Sequence, residues 1–372
     1  MRSETPEGLR ALVSALFPGA SVEQVRPLGT DVEEQVDTEK GIGYGRPLRV
    51  TIVEPAGWRR DLVFRTAVPN EFGHDRRADR AEEMLLAHDL FNQIPDHVRA
   101  LDVGAIARDG RLVSLRGTGE FYLVTEWAEG EPYAEDLRRI AREGTAGPLD
   151  VARCEALARW LARLHADRID DPPAWRRALR DLVGHGEGVF GIADAYPPYV
   201  PGVSAERLRR IEERCLSWRW RLRDRAERLA RTHGDFHPFN VLFRRPARGD
   251  GARFTLLDAS RGGRGDPADD VVAMSVNYVF FALEHRSSWP RGLGFLWRRF
   301  WELYLAATGD PGVLETAPPF LAWRALVLAS PRFYPRLGAP ARDAILHLAE
   351  RALEGPRFDP AWAEVLFAEA AS

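Results

Sequence analysis

Thr232 to Asp270 reads THGDFHPFNVLFRRPARGDGARFTLLDASRGGRGDPADD, and its opening residues decide the fold. His233-Gly234-Asp235-Phe236-His237-Pro238-Phe239-Asn240 has the spacing H-x-D-x4-N. An aspartate can accept the proton of an attacking hydroxyl. The amide oxygen of an asparagine on the same loop can hold a metal ion. Val241 to Arg245 reads as a short strand, Pro246 to Gly251 as a turn, and Phe254 to Leu257 as the returning strand. That hairpin brings Asp258 back beside the loop. Asn240 and Asp258 then make a hard-oxygen pair suited to Mg²⁺, which keeps its other positions for water and phosphate. His233 and His237 also have the spacing of a helical zinc site, but Gly234 and Pro238 argue against a helix there.

Phosphoryl transfer of the kinase type needs an aspartate, an asparagine and a second aspartate at this separation. HGDFHPFN, then LLD, then GDPADD resembles the aminoglycoside phosphotransferase and choline-kinase-like family. The resemblance covers most of the chain and is strongest from about Leu157 to Asp270. It implies an α+β, bilobal protein-kinase-like fold. A small antiparallel-sheet N-lobe would occupy residues 1–130 and a larger, mostly helical C-lobe residues 131–372. The implied reaction moves the γ-phosphate of ATP or GTP to a hydroxyl of a small molecule. An aminoglycoside-like antibiotic, a sugar, an amino alcohol or a secondary metabolite would each fit. Asp235 would be the catalytic base or hydroxyl-orienting carboxylate, with His233 bracing the loop. Asn240 and Asp258 would ligate Mg²⁺, and Asp266 and Asp270 would fix the following segment.

The N-terminal part supplies the expected nucleotide contacts. Thr5 to Phe17 reads as an amphipathic helix, and Ser21 to Pro27, Arg49 to Val53 and Asp61 to Thr66 as strands. Val98 to Ile106 and Glu120 to Thr125 would complete a five-stranded sheet, with Ala78 to Leu90 as its helix. Gly41, Gly43 and Gly45 could let backbone amides approach phosphates; Gly29-Thr30 competes for that role. Relatives usually carry a lysine on the third strand, where this chain has Arg65, which can grip phosphate bidentately. Lys40 is the only lysine. Glu82 or Glu83 would pair with Arg65; helix phase, judged from Leu86, favours Glu82.

Further along, Asp150 to Asp167 and Ser204 to Arg231 read as long helices, with His165 structural at the end of the first. Val271 to Leu283, Leu293 to Ala307, Pro319 to Leu328 and Pro340 to Leu353 read as further helices. Gly186 to Gly191 fits G-x-G-x-x-G, a dinucleotide fingerprint only if a strand precedes it and a helix follows.

The totals fit an ordinary soluble protein. The 372 residues are 45 % hydrophobic and 29 % charged, with a net charge of −3. Nothing global points to nucleic acid or membrane as a partner. Two cysteines and a charged N-terminus fit a cytoplasmic protein with no disulfide framework. The sequence carries no signal for oligomeric state. A protein kinase is disfavoured because Gly234 stands where regulated kinases have arginine and no A-P-E follows Asp258. The other alternative, motivated by Arg65, is a weak or inactive nucleotide-binding pseudokinase serving as an interaction module.

Overall fold

The computed structural model describes residues 7–27, 47–70, 72–244, 251–259 and 262–368. Contacts divide the chain into two compact units, Met1–Thr125 and Glu126–Ser372.

In the first unit, α1 (Glu7–Leu16) buries Leu9 and Val13, four residues apart on one helical face. They pack on Val50 and Ile52. β1 (Ser21–Pro27), β2 (Leu48–Val53) and β3 (Arg59–Phe64) form an antiparallel sheet with β2 in the middle. Register sets Val50 between Val25 and Leu62, so alternate apolar residues stack across the face that α1 covers. α2 (Arg77–Phe91) has no fully buried residue. Its half-buried positions include Arg80, Glu83, Met84, Ala87, His88 and Phe91, a stripe of helical period.

The expected five-stranded sheet is corrected. β4 (Gly104–Ile106) pairs with β5 (Leu112–Ser114) as a separate hairpin. The Asp109-Gly110 turn makes that hairpin, with Gly110 at φ +84°. Glu120 to Thr125 forms no strand, and Tyr122, Leu123 and Val124 are exposed. Apolar, β-prone side chains alone do not make a strand without a neighbour to accept its ladder.

The second unit is mostly helical. In order it contains β6 (Glu131–Pro132), α3 (Tyr133–Glu143), α4 (Pro148–His165), α5 (Pro172–Gly184), α6 (Val189–Asp194) and α7 (Ala205–Leu222). β7 (Ala230–Arg231), β8 (Val241–Phe243), β9 (Phe254–Leu256) and β10 (Arg264–Gly265) follow. Then come α8 (Pro267–Leu283), α9 (Leu293–Thr308), α10 (Gly312–Ala329), α11 (Ala339–Glu354) and α12 (Trp362–Val365). α8 is buried on nearly every face, through Val271, Val272, Met274, Val276, Tyr278 and Val279 among others. Burying each such side chain contributes about 1.5–3 kcal/mol, so α8 is the axis on which the unit is built.

Two expectations are revised here. α7 stops at Leu222 rather than Arg231, because the residues beyond it have distant partners. Arg228 is buried against Asp266 at 3.3 Å and Asp310 at 2.6 Å, and Ala230–Arg231 pairs with β10. α10 starts at Gly312 and runs through Pro318 and Pro319. Pro318 has no N–H to offer the carbonyl of Leu314, and the amide of Phe358 bonds that carbonyl instead at 2.8 Å. The G-x-G-x-x-G stretch runs from the α5–α6 connection into α6, with a helix before it where a dinucleotide fold needs a strand. No helix among the described residues is long and apolar enough to cross a membrane.

Candidate active site

The loop from Thr232 to Asn240 is held at both ends by short ladders. β7 pairs with β10 before it, and β8 pairs with β9 and β6 after it. Gly234 sits at φ +83°, a conformation that disfavours any side chain. The ring of Phe236 lies flat on Trp160, centroids 5.3 Å apart, and anchors the middle of the loop in the core. Pro238–Asn240 is a single 3-10 turn that leads into β8.

Asp270, in the first turn of α8, holds the loop from below. Its carboxylate accepts the amides of His233 at 2.7 Å and Gly234 at 2.8 Å. The Nε2 of His165 lies 3.2 Å from the same carboxylate, and its Nδ1 lies 2.8 Å from the Tyr304 hydroxyl. Burial, with Asp266 and Asp310 nearby, pushes the Tyr304 phenol up. A carboxylate only accepts, so the contact with Asp270 suits the His165 tautomer with its proton on Nε2. Asp266 caps α8 through the amide of Ala268 at 2.8 Å and accepts the Thr316 hydroxyl at 2.9 Å. Asp270→Ala would leave two buried amides without an acceptor. We expect a loss of about 2–5 kcal/mol in denaturant unfolding, and a variant as stable as wild type would show that the loop does not depend on this brace.

Of the side chains singled out in the sequence, Asn240 meets Asp235. The Asp235 backbone oxygen and Oδ2 accept the Asn240 amide at 3.1 and 3.2 Å. His233 turns away from the carboxylate: its Nδ1 accepts the Asp235 amide at 3.3 Å and its ring meets Phe236 edge-on. The Nε2 of His237 lies 3.4 Å from Asp235 Oδ2 while its Nδ1 accepts the Phe239 amide.

Asp258 comes back beside Asn240 as the hairpin requires, since the amide of Leu257 donates to the Asn240 carbonyl at 2.9 Å. Asp258 is exposed at φ +49°, and only Asp96 shares a positive φ among described residues other than glycine. Such backbone geometry persists where something other than local preference selects it. Asp258 has no hydrogen bond or ion pair among the described residues. The Asn240 amide group points its nitrogen at Asp235, which leaves the oxygen Oδ1 as an acceptor. One carboxylate and one amide oxygen, both available, fit a magnesium ion with several positions left for water and phosphate. No cluster of three or more His, Cys, Asp or Glu suited to a metal occurs among the described residues.

In the first unit, Arg65 follows β3, and its Nη2 lies 3.7 Å from Oε1 of Glu83. The expectation of Glu82 is corrected: Glu82 is exposed, a residue off the half-buried stripe of α2 that carries Glu83. The error came from Leu86, which points to solvent rather than inward. Gly41, Gly43, Gly45 and Lys40 lie outside the described residues, as does the competing Gly29-Thr30.

One residue at this site was not anticipated. Arg324, in α10, is buried and donates from Nη1 to Asp235 Oδ1 at 2.7 Å. Its Nη2 reaches Asp269 at 3.2 Å. Burial opposes its charge, but Asp269 and Asp235 outweigh that and hold it above its ordinary value. A signal was available: Arg324 is the lone charge in TAPPFLAWRALVLA, and a lone charge in an apolar helix needs a buried partner.

A family model described as the phosphotransferase enzyme family matches residues 52–313. No curated protein sequence matches. Among solved structures, a glucosamine kinase is similar at 17 % identity, covering 99 % of this chain and 96 % of that one, with a TM-score of 0.35. An aminoglycoside-3'-phosphotransferase of type VIII is similar at 21 %, covering 87 % and 97 %, with a TM-score of 0.35. A microcompartment-associated aminopropanol kinase is similar at 15 %, covering 95 % and 99 %, with a TM-score of 0.39. The family match spans well over half of the chain, from β2 to the start of α10, and includes the whole Thr232 to Asp270 stretch. The chain belongs to the phosphotransferase enzyme family, with a protein-kinase-like α+β fold, and is an enzyme that phosphorylates small-molecule hydroxyls.

Proposed function

We propose that this enzyme transfers the γ-phosphate of ATP or GTP to a hydroxyl of an antibiotic, sugar, amino alcohol or secondary metabolite, with Mg²⁺ bound by Asn240 and Asp258. The observation that carries this reading is the convergence of Asp235, Asn240 and Asp258 on one braced loop and its hairpin. Asp235 orients the acceptor hydroxyl and takes its proton as the bond to phosphorus forms. His233 braces the loop through its contacts with the Asp235 amide and Phe236. When bound, the magnesium ion neutralises phosphate charge as a Lewis acid. The test is a nucleotide-consumption screen with Mg²⁺ against hydroxylated metabolites and antibiotics. Acceptor-dependent consumption that Asp235→Asn removes supports the reading. Consumption that Asp235→Asn leaves intact would overturn it.

Arg65 takes the phosphate-gripping part that lysine has in most relatives, steadied by Glu83 at 3.7 Å. Its neighbours Leu62 and Phe64 pack on the sheet's core, so side-chain alternation turns Arg65 the other way. Arg65→Ala is expected to weaken nucleotide use by about 1.5–3 kcal/mol, the worth of one charge-assisted contact. Arg65→Lys should retain part of the activity, because a point charge replaces a planar fork imperfectly. Steady-state kinetics with Lys40→Ala alongside decides the matter. A large loss for Lys40→Ala with Arg65→Ala near wild type would move the phosphate anchor to the glycine-bearing turn.

A further inference from the structure

Arg324 stands out among the buried polar groups because it is the one charge in an otherwise apolar stretch of helix. It lies within an apolar stretch of α10, in contact with the proposed active-site loop. Its Nε is buried and has no hydrogen-bond partner among the described residues. A buried ion pair with one N–H unsatisfied is seldom more stable than well-packed apolar side chains of similar size. Packing alone would be served as well by methionine or leucine.

The contacts that Arg324 does make are directed at one target. Nη1 donates to Asp235 Oδ1 at 2.7 Å. Nη2 lies 3.4 Å from the Gly234 carbonyl and 3.2 Å from Asp269 Oδ1. The guanidinium lies over the ring of Trp323, 4.1 Å from its centroid, and Trp323 is pinned by its Nε1 to the Glu187 carbonyl at 2.7 Å. The planar fork is thus fixed on one side by an aromatic face and at its end by two carboxylates. Asp269 belongs to the first turn of α8, the rigid axis of the unit, and lies next to Asp270. Asp270 holds the loop through the amides of His233 and Gly234; Arg324 holds it through the Gly234 carbonyl and the Asp235 side chain. The two clamps engage opposite polarities of one loop.

We propose that Arg324 is a positioning residue, which fixes the Asp235 carboxylate for attack by tying it to Asp269 on α8. This inference rests on the reading of Asp235 as the hydroxyl-orienting carboxylate. Arg324 donates to Oδ1, whereas the Asn240 amide donates to Oδ2, so the carboxylate is held at both oxygens. A carboxylate held in this way cannot rotate about its last bond. The direction in which it receives the acceptor proton is then set before the acceptor binds.

The test uses the full chain with Mg²⁺-ATP and Mg²⁺-GTP, and water as the acceptor. Arg324→Met should lower kcat for hydrolysis about a hundredfold, the usual consequence of misplacing a reacting group by an ångström, with nucleotide KM nearly unchanged. Arg324→Lys should recover part of the loss, since an ammonium can reach Asp235 but cannot also bridge to Asp269. Asp269→Asn should fall between Arg324→Lys and wild type. The decisive comparison is the double variant. If Arg324 acts through Asp235, Arg324→Met causes no further fall in kcat once Asp235→Asn is present. A structural role would instead reduce the folded fraction by the same factor in both backgrounds, which nucleotide-binding stoichiometry measures.

Arg324→Met with wild-type kcat, or losses that multiply in the double variant, would overturn the inference. Should Arg324→Met fail to fold, Arg324→Lys and Asp269→Asn carry the same comparison. An Asp235→Asn enzyme as active as wild type would sink the functional reading, and this inference with it; where water is too slow an acceptor, an acceptor from the screen carries the same comparison. An inactive Asp235→Asn beside a fully active Arg324→Met would sink this inference alone.

Discussion

Asp235→Asn is expected to lower turnover by about 10²–10⁴-fold, the usual contribution of a positioned acid–base group. The amide is nearly the size of the carboxylate and its one oxygen can still accept from Arg324, whose bond to Asp235 measures 2.7 Å, while the Asn240 amide keeps its bond to the Asp235 backbone oxygen at 3.1 Å. The backbone of the loop is held separately by Asp270, through the amides of His233 and Gly234. The substitution should therefore leave the fold and nucleotide KM almost unchanged while kcat collapses. That split marks an interaction made at the transition state rather than on binding. Steady-state kinetics with an acceptor from the screen provides the measurement. A purified, folded variant with more than a tenth of wild-type kcat would exclude Asp235 from this role.

The second large effect is expected at Asp258. Loss of a supporting contact around a metal costs about 10–100-fold in affinity, so loss of a charged direct ligand should cost at least the upper end. Backbone geometry dictates which substitution to use. At φ +49°, alanine would add strain of about 1–2 kcal/mol that has nothing to do with the metal. Glycine relieves that strain and asparagine tolerates it, while both remove the negative charge. Asp258→Gly should therefore match or exceed wild type in thermal stability, yet lose Mg²⁺-dependent nucleotide binding in titration calorimetry. Asp258→Asn should lie between the two in affinity. Unchanged Mg²⁺-nucleotide affinity in Asp258→Gly would show that the hairpin does not deliver a metal ligand.

The sequence by itself determined the elements whose evidence is local. The paired strands that follow the loop were legible because short apolar runs mark them, and β8 and β9 pair as those signals require, while the turn expected at Pro246 to Gly251 lies, but for Gly251, outside the described residues. The spacing of Leu9 and Val13 predicted α1, and alternation predicted β2 and β3, because helical and strand periods are written in neighbouring residues.

Tertiary structure decided what depends on distant partners. α7 ends where Arg228 meets Asp266 and Asp310, which lie far along the chain. Glu120 to Thr125 looks like a strand but has no ladder, and strand formation is a property of pairs. Glu83 rather than Glu82 meets Arg65 because the inward stripe of α2 follows half-buried residues, not the apolar Leu86 and Leu90 that face solvent. Arg324 comes to Asp235 across 89 residues. No local period records such an encounter. Its only trace in the sequence is a single charge in an apolar helix, which shows that a partner must exist and leaves the fold to decide which one.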